Sequence, residues 1–155
     1  GLKIGIHWHA GPAPLDDTPR AIPLSAFAPL ARIPGVQLIS LQKGTGRDQI
    51  EKAGFPLQDW TAEMDETGQA FLDSITAISA MDAVVSADSA IAHLAGALGV
   101  PVWVAMQAPG SWMWGPTDRS SPWYPTARLV RKPAAMGWEE AFRLIAEEIR
   151  EMRSQ

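Results

Sequence analysis

Cysteine is absent from this 155-residue chain, so a disulfide framework, a thiol nucleophile and a thiolate metal cluster are all excluded. No apolar run approaches the ~20 residues of a membrane span, and no secretory leader pattern opens the chain. Basic residues are not in excess. The formal net charge is −4, which argues against nucleic acid as the main partner. Three motifs are missing as well. Without GxGxxG the case for NAD weakens, without GxxxxGK[ST] there is no P-loop, and without GxSxG the serine of PGSW, Ser111, has no convincing triad. The chain shows no internal repeat and no low-complexity tract.

What is present belongs to a folded protein. Apolar residues make up 46% and charged residues 19%, and the length suits one domain over residues 1–155 with a real core. A cysteine-free chain without a leader suits the cytoplasm. The opening GLKIGIHW has no methionine and runs at once into an apolar strand. It reads as a piece excised from a longer protein.

Short apolar runs alternate with helical patterns. Strands are expected over residues 2–9, 36–41, 82–87, 101–106 and 127–132, with 55–60 a strand or an extended segment. Helices are expected over 23–33, 46–53, 69–80 (Phe71, Ile75 and Ile78 on one side), 88–98 and 138–152. In the last of these, Trp138, Phe142, Ile145, Ile149 and Met152 form a stripe, and Glu139 and Arg143 can pair four apart. Gly99 ends the helix before it. Continuous rather than alternating strands mean that both sheet faces are covered. The prediction is an α/β domain with a Rossmann-like, doubly wound parallel sheet.

Ligands of such sheets bind beyond the carboxyl ends of the strands. DAVVSADSAIAHLAGALG places a strand end against a helix start, where free amides and the helix dipole favour an anion. Ser89 can add a hydroxyl there, and Asp88 either serves that site or caps the helix. The helix carries a bulky stripe (Ile91, Leu94, Leu98) and an unusually small face (Ser89, Ala92, Gly96, Ala97) beside His93. The small face either packs on a neighbour or admits a close-lying partner. Lys43, in LQKGTG, reaches the same sheet edge and is either a phosphate counter-charge or a solvated turn lysine. In IHWHAG, His7 and His9 share one strand face with Asp16 and Asp17 following; they hold a metal, line a cleft or pack. The loop APGSWMWGPTDRSSPWYP carries Trp112, Trp114, Trp123 and Tyr124. Those rings stack on a ligand, anchor the loop or meet another domain.

Taken in order, GIHWHAGP…DDTPRAIPL, LISLQKG, DAVVSADSAIAHLAGALGVPVWV and SPWYPTARLVRKP resemble the C-terminal half of GT-B glycosyltransferases. They are most similar to bacterial enzymes often fused to tetratricopeptide repeats and related to the heptosyltransferases of glycosyltransferase family 9, and more distantly to O-linked N-acetylglucosamine transferases. The resemblance spans nearly the whole chain. It implies one of two Rossmann-like halves, a nucleotide-diphosphate-sugar donor as substrate, and no metal or other cofactor. Asp88 then falls at the sugar-phosphate end, while Ser89 and Ala90 present amides to the pyrophosphate. His93 and Lys43 match a histidine and a lysine of the donor site, and Arg20 matches the arginine of an RSIPL-like segment. Trp8, Arg20, Gln42 and Trp114 become candidate cleft contacts. Ala10 and Gly11 depart from the WAGNP-like motif expected after the first strand. The small helix face lets the donor, or the other half-domain, approach closely.

The catalytic base is expected in the absent N-terminal half. That half, the nucleotide sugar and tetratricopeptide repeats are the expected partners, with neither nucleic acid nor a membrane span. Two other readings stand beside this one: a non-catalytic transferase-like interaction module, and an unrelated flavodoxin-like small-molecule enzyme.

Overall fold

A computed structural model describes residues 1–10, 20–64, 70–108, 112–115 and 119–155. Six parallel strands form one sheet: β1 (Leu2–His7), β2 (Val36–Ser40), β3 (Gln58–Asp59), β4 (Ala83–Ala87), β5 (Val102–Gln107) and β6 (Ala127–Lys132), in the spatial order β3-β2-β1-β4-β5-β6. The helices are α1 (Ala28–Ala31), α2 (Ala70–Ser79), α3 (Ala90–Ala97) and α4 (Trp138–Ser154). This is the Rossmann-like, doubly wound sheet that the strand–helix alternation predicts. From β1 the chain passes outward to β2, whereas β4 lies on the opposite side of β1. The carboxyl ends of β1 and β4 therefore border the switch-point crevice, the ligand-binding position of such sheets.

Two apolar layers clamp the sheet. On one face Ile4, Ile6 and Trp8 meet Phe27, Leu30, Phe142, Ile145 and Ile149, and on the other Val84, Val102 and Val104 meet Ile78, Ile91, Ala92 and Ala95. Phe142, Ile145 and Ile149 of the α4 stripe are buried and Trp138 and Met152 at its ends half-buried, and Arg143 Nη2 donates to Glu139 Oε1 at 2.9 Å. Pro29 is tolerated because it falls in the first turn of α1, after a 3-10 turn over Leu24–Phe27. Gly99 ends α3 with φ of 73°. At Gly5 any Cβ would lie 2.5 Å from Leu41 Cδ1 and 3.2 Å from Met81 Cγ, so the odd-numbered face of β1 is pressed against the α2–α3 side of the sheet.

Several elements differ from expectation. β1 stops at His7 rather than residue 9 because the Gln42 side chain captures the amides of Trp8 and His9, at 3.0 and 2.9 Å. The expected third strand shrinks to two residues on an edge. On α2, Ile78 is buried but Phe71 is 64% exposed; small Ala77 and Ser74 face inward instead. The helix presents its small residues, not its largest, to the sheet.

The small face of α3 is filled by this chain itself. A methyl at Gly96 would sit 2.5 Å from Tyr124 Cγ and 2.9 Å from Tyr124 Cβ. The expectation that this face admits a donor or another half-domain is thus corrected at Gly96: the aromatic loop folds back onto it. Gly96→Ala is expected to lower stability by about 1–3 kcal/mol, as overpacking does, although alanine outranks glycine inside a helix by about 1 kcal/mol. A urea midpoint that rises would show that Tyr124 yields.

A second lock ties α4 to the sheet. Trp103 Nε1 donates to Glu148 Oε2 at 2.7 Å, and Arg119 Nη1 lies 2.6 Å from Oε1. Burial raises the Glu148 pKa, but the hydrogen bonds from Arg119 and Trp103 and the charges of Arg119 and Arg128 bring it below the usual carboxylate range. Glu148→Gln should cost about 1–2 kcal/mol at pH 7. The stabilisation is complete above the unfolded pKa of about 4.3 and is lost as pH falls through the lower folded value, so denaturation curves of variant and wild type converge as pH falls through that folded value.

Candidate functional site

Seven of the described residues singled out for function lie at the carboxyl rim of the sheet, where β1, β2 and β4 end. β1 delivers His7, Trp8 and His9; β2 delivers Gln42 and Lys43; β4 delivers Asp88 and Ser89 at the start of α3. Parallel strands force this convergence, because every carboxyl end falls on one edge.

Gln42 organises the first two loops. Its Oε1 accepts from the amides of Trp8 and His9, and its Nε2 donates to His9 O at 2.9 Å and Thr45 O at 3.0 Å. Trp8 Nε1 donates to Gly46 O at 3.1 Å. Gly46 has φ of 98°, and a Cβ there would meet His9 Cβ at 2.8 Å, so only glycine lets this loop lie on the other. Trp8 and Gln42 are fully enclosed. As cleft contacts they are corrected: they build the rim from beneath and leave no surface for a ligand.

The β4–α3 junction is roofed. Trp114 Nε1 donates to Asp88 Oδ1 at 2.8 Å, and its ring stacks on His93 at 4.4 Å between centroids and 20° between planes. Arg131 Nη2 holds the turn behind it through Trp114 O at 3.0 Å and Gly115 O at 2.7 Å. Trp114 is fully buried, and beneath it Asp88 is 3% and Ser89 7% exposed. Trp114, one of the expected cleft contacts, is here buried over Asp88. The Asp88 carboxylate is engaged with the indole.

The hydroxyls here are committed in a fixed direction. Ser86 Oγ donates to Ala87 O at 2.7 Å and lies 2.9 Å from Ser89 Oγ. A hydroxyl has one proton, so Ser89 must be the donor to Ser86. Its hydroxyl is left able only to accept, and the expected contribution of that hydroxyl to an anion is corrected to its backbone alone. Ser89 is the N-cap, with extended backbone, and makes no side-chain cap bond. The first amides of α3 thus have no helical partner and receive none from the cap. Ala90, the first helical residue, is exposed.

His93 is half-buried. Its Nδ1 lies 3.1 Å from Tyr124 Oη, while Nε2 is buried without a partner. Burial lowers its pKa and the charge of Asp88 partly offsets this. Lys43 and Arg20 are both half-buried and both engaged in polar interactions. Asp16, Asp17, Gly11 and Ser111 lie outside the described residues. Among the described residues no three metal-ligating side chains gather, and no helix is long and apolar enough to cross a membrane.

Sequence reasoning missed Ser86 and the pairing of Trp114 with Asp88. It weighed His7 as a metal ligand, as cleft lining or as a packed side chain. Two clefts lie away from the rim. One of about 500 Å³ lies between Trp60, Met64 and α2, and another of about 470 Å³ lies between β6 and α4. Neither is lined by Lys43, Asp88 or Ser89.

No family profile matches the chain. Protein FlbA of Caulobacter vibrioides is 28% identical over 154 residues, 97% of this chain but 25% of FlbA. Two solved structures share the fold across 97% of this chain. ADP-heptose LPS heptosyltransferase II of E. coli does so with a TM-score of 0.62, 21% identity and 47% of its own length. Heptosyltransferase WaaC of E. coli, solved with ADP, does so with a TM-score of 0.58, 19% identity and 44% of its length. This chain spans a quarter of the curated relative and a little under half of each solved enzyme. Its sheet and helices share the fold of a little under half of each of these two heptosyltransferases.

Proposed function

We propose that this chain is the donor-binding half of a metal-independent glycosyltransferase, holding the diphosphate of a nucleotide sugar at the crevice between β1 and β4. The observation that carries the reading is the start of α3: amides without a side-chain cap, at the switch point of the sheet, with the first residue exposed. Glycosyl transfer breaks the bond between the sugar's anomeric carbon and the diphosphate oxygen, and negative charge grows on the leaving group. Fixed donors stabilise that charge without having to reorganise. The α3 amides supply dipoles, and Lys43 supplies a positive charge two strands away, about 10 Å by strand spacing. An extended lysine and a diphosphate share that span. The acceptor hydroxyl must lose a proton to a base, which this reading places in the other half of the enzyme. ADP is the first nucleotide to test, since the solved heptosyltransferase WaaC carries it.

In this structure Trp114 covers the Asp88 carboxylate that precedes these amides, so a ligand that engages Asp88 has to displace the indole. That cover also favours a second reading, a transferase-like module that no longer binds nucleotide and serves protein contacts.

Calorimetry with ADP, UDP and GDP separates the two. One of them should bind, Lys43→Ala should weaken it about tenfold or more, as loss of a charged hydrogen bond does, and the isolated chain should turn over no sugar. If none binds, the interaction-module reading stands.

Trp114→Phe keeps the ring on His93 but removes the indole donor. It should tighten nucleotide binding while lowering stability by about 1–3 kcal/mol, because Asp88 loses its partner. Unchanged affinity in a folded variant would show that the cover does not have to move.

A further inference from the structure

His7 is the last residue of β1, 8% exposed, and its Nδ1 is buried with no hydrogen-bond partner. Buried polar atoms left without partners are uncommon in folded proteins, and each calls for a physical reason. The surroundings of His7 indicate one.

In the β1–β4 ladder His7 is the register partner of Ser86. Neighbouring side chains in register on parallel strands project to the same face, about 4.8 Å apart. That face is the α3 side, since alternation puts His7 with Gly5, whose missing Cβ would meet Leu41 and Met81 of the α2–α3 layer. The imidazole therefore stands beside Ser86, whose hydroxyl is bonded to Ser89 at the N-cap of α3. Two independent observations meet at one place: a helix start whose amides take no side-chain cap, and a buried imidazole with an unused hydrogen-bonding nitrogen.

We propose that His7 is a ligand-binding residue of this crevice, donating a hydrogen bond from Nδ1 to a phosphoryl oxygen of a diphosphate held at the start of α3. The inference rests on the nucleotide-binding reading above. A diphosphate offers only acceptors, so the imidazole must engage it as the Nδ1–H tautomer. Burial, and then the charge of His9, push the His7 pKa down to about 4, so the ring is neutral near pH 7. It adds direction rather than charge, while Lys43 supplies the charge. Nδ1 has no hydrogen-bond partner in the unliganded protein, so no existing bond has to break for it to engage the ligand. No bond is made or broken at His7.

The test is titration of the protein with ADP, read by calorimetry and by the imidazole signals of ¹⁵N-histidine-labelled protein, in which only three histidines contribute. The His7 Nδ1 signal is expected to shift on saturation. His7→Phe should bind ADP about tenfold more weakly, the worth of one hydrogen bond. His7→Asn, whose amide reaches where Nδ1 does, should stay within about threefold of wild type. If the Phe variant does not fold, the nitrogen signal of the wild-type protein decides. ADP binding to wild type with an unmoved His7 signal and unchanged affinity in the variants overturns this assignment alone. Failure of wild type to bind any of ADP, UDP and GDP overturns the nucleotide-binding reading with it.

Discussion

A carboxylate buried at the mouth of a parallel sheet must be paired, and the rim of this protein is arranged around that requirement. Asp88 emerges from β4 beneath the surface and takes its hydrogen bond from the Trp114 indole. An ionised carboxylate left alone there would cost several kcal/mol. The indole must therefore sit over the start of α3. Once there, it offers its face to His93, whose Nδ1 meets Tyr124, and Tyr124 in turn occupies the space that Gly96 leaves open. Arg131 fixes the backbone behind it. One buried charge thus sets the position of a loop, two aromatic rings and a helix face.

The same logic appears on the other side of the crevice with a neutral group. β1 ends where its next two amides turn to Gln42 instead of a neighbouring strand. A side-chain amide acts as a piece of backbone there, accepting and donating as a strand would. The outcome is a rim built from side chains that were each expected to touch a ligand but that mostly touch one another.

Local pattern made the sheet legible. The runs at β4 and β5, the α4 stripe, the Gly99 stop and the first-turn Pro29 all follow from periods and turn chemistry acting within a few residues. Boundaries failed where a distant side chain intervened: β1 lost two residues to Gln42, 34 and 33 positions away. Roles failed for the same reason. Trp114 finds Asp88 across 26 positions and Tyr124 finds His93 across 31, and neither spacing leaves a periodic trace. On α2, helical spacing correctly put Ile78 inside, but the choice of Ala77 and Ser74 over Phe71 for the sheet depends on how close the helix packs, which periodicity does not encode. The small face of α3 was a readable anomaly. What filled it was not readable, since a glycine states only that something comes near.

Energetics connects the covered crevice to the proposed chemistry. A hydrogen bond to a charged group contributes about 1.5–3 kcal/mol, so moving Trp114 off Asp88 lowers the affinity of any entering ligand by about ten- to a hundredfold. A diphosphate does not repay that loss to the carboxylate, which it repels. A donor hydroxyl does. A ligand carrying an anion for the α3 amides and, adjoining it, a hydroxyl for Asp88 replaces the indole bond as it binds, whereas a bare diphosphate leaves the carboxylate to water. On the nucleotide-binding reading proposed above, the cover would therefore discriminate in favour of molecules that join a polyol to a phosphate, and a nucleotide sugar is such a molecule. On that reading Asp88 and Trp114, which satisfy each other here, would form an exchangeable pair whose replacement depends on the shape of the incoming molecule as well as its charge.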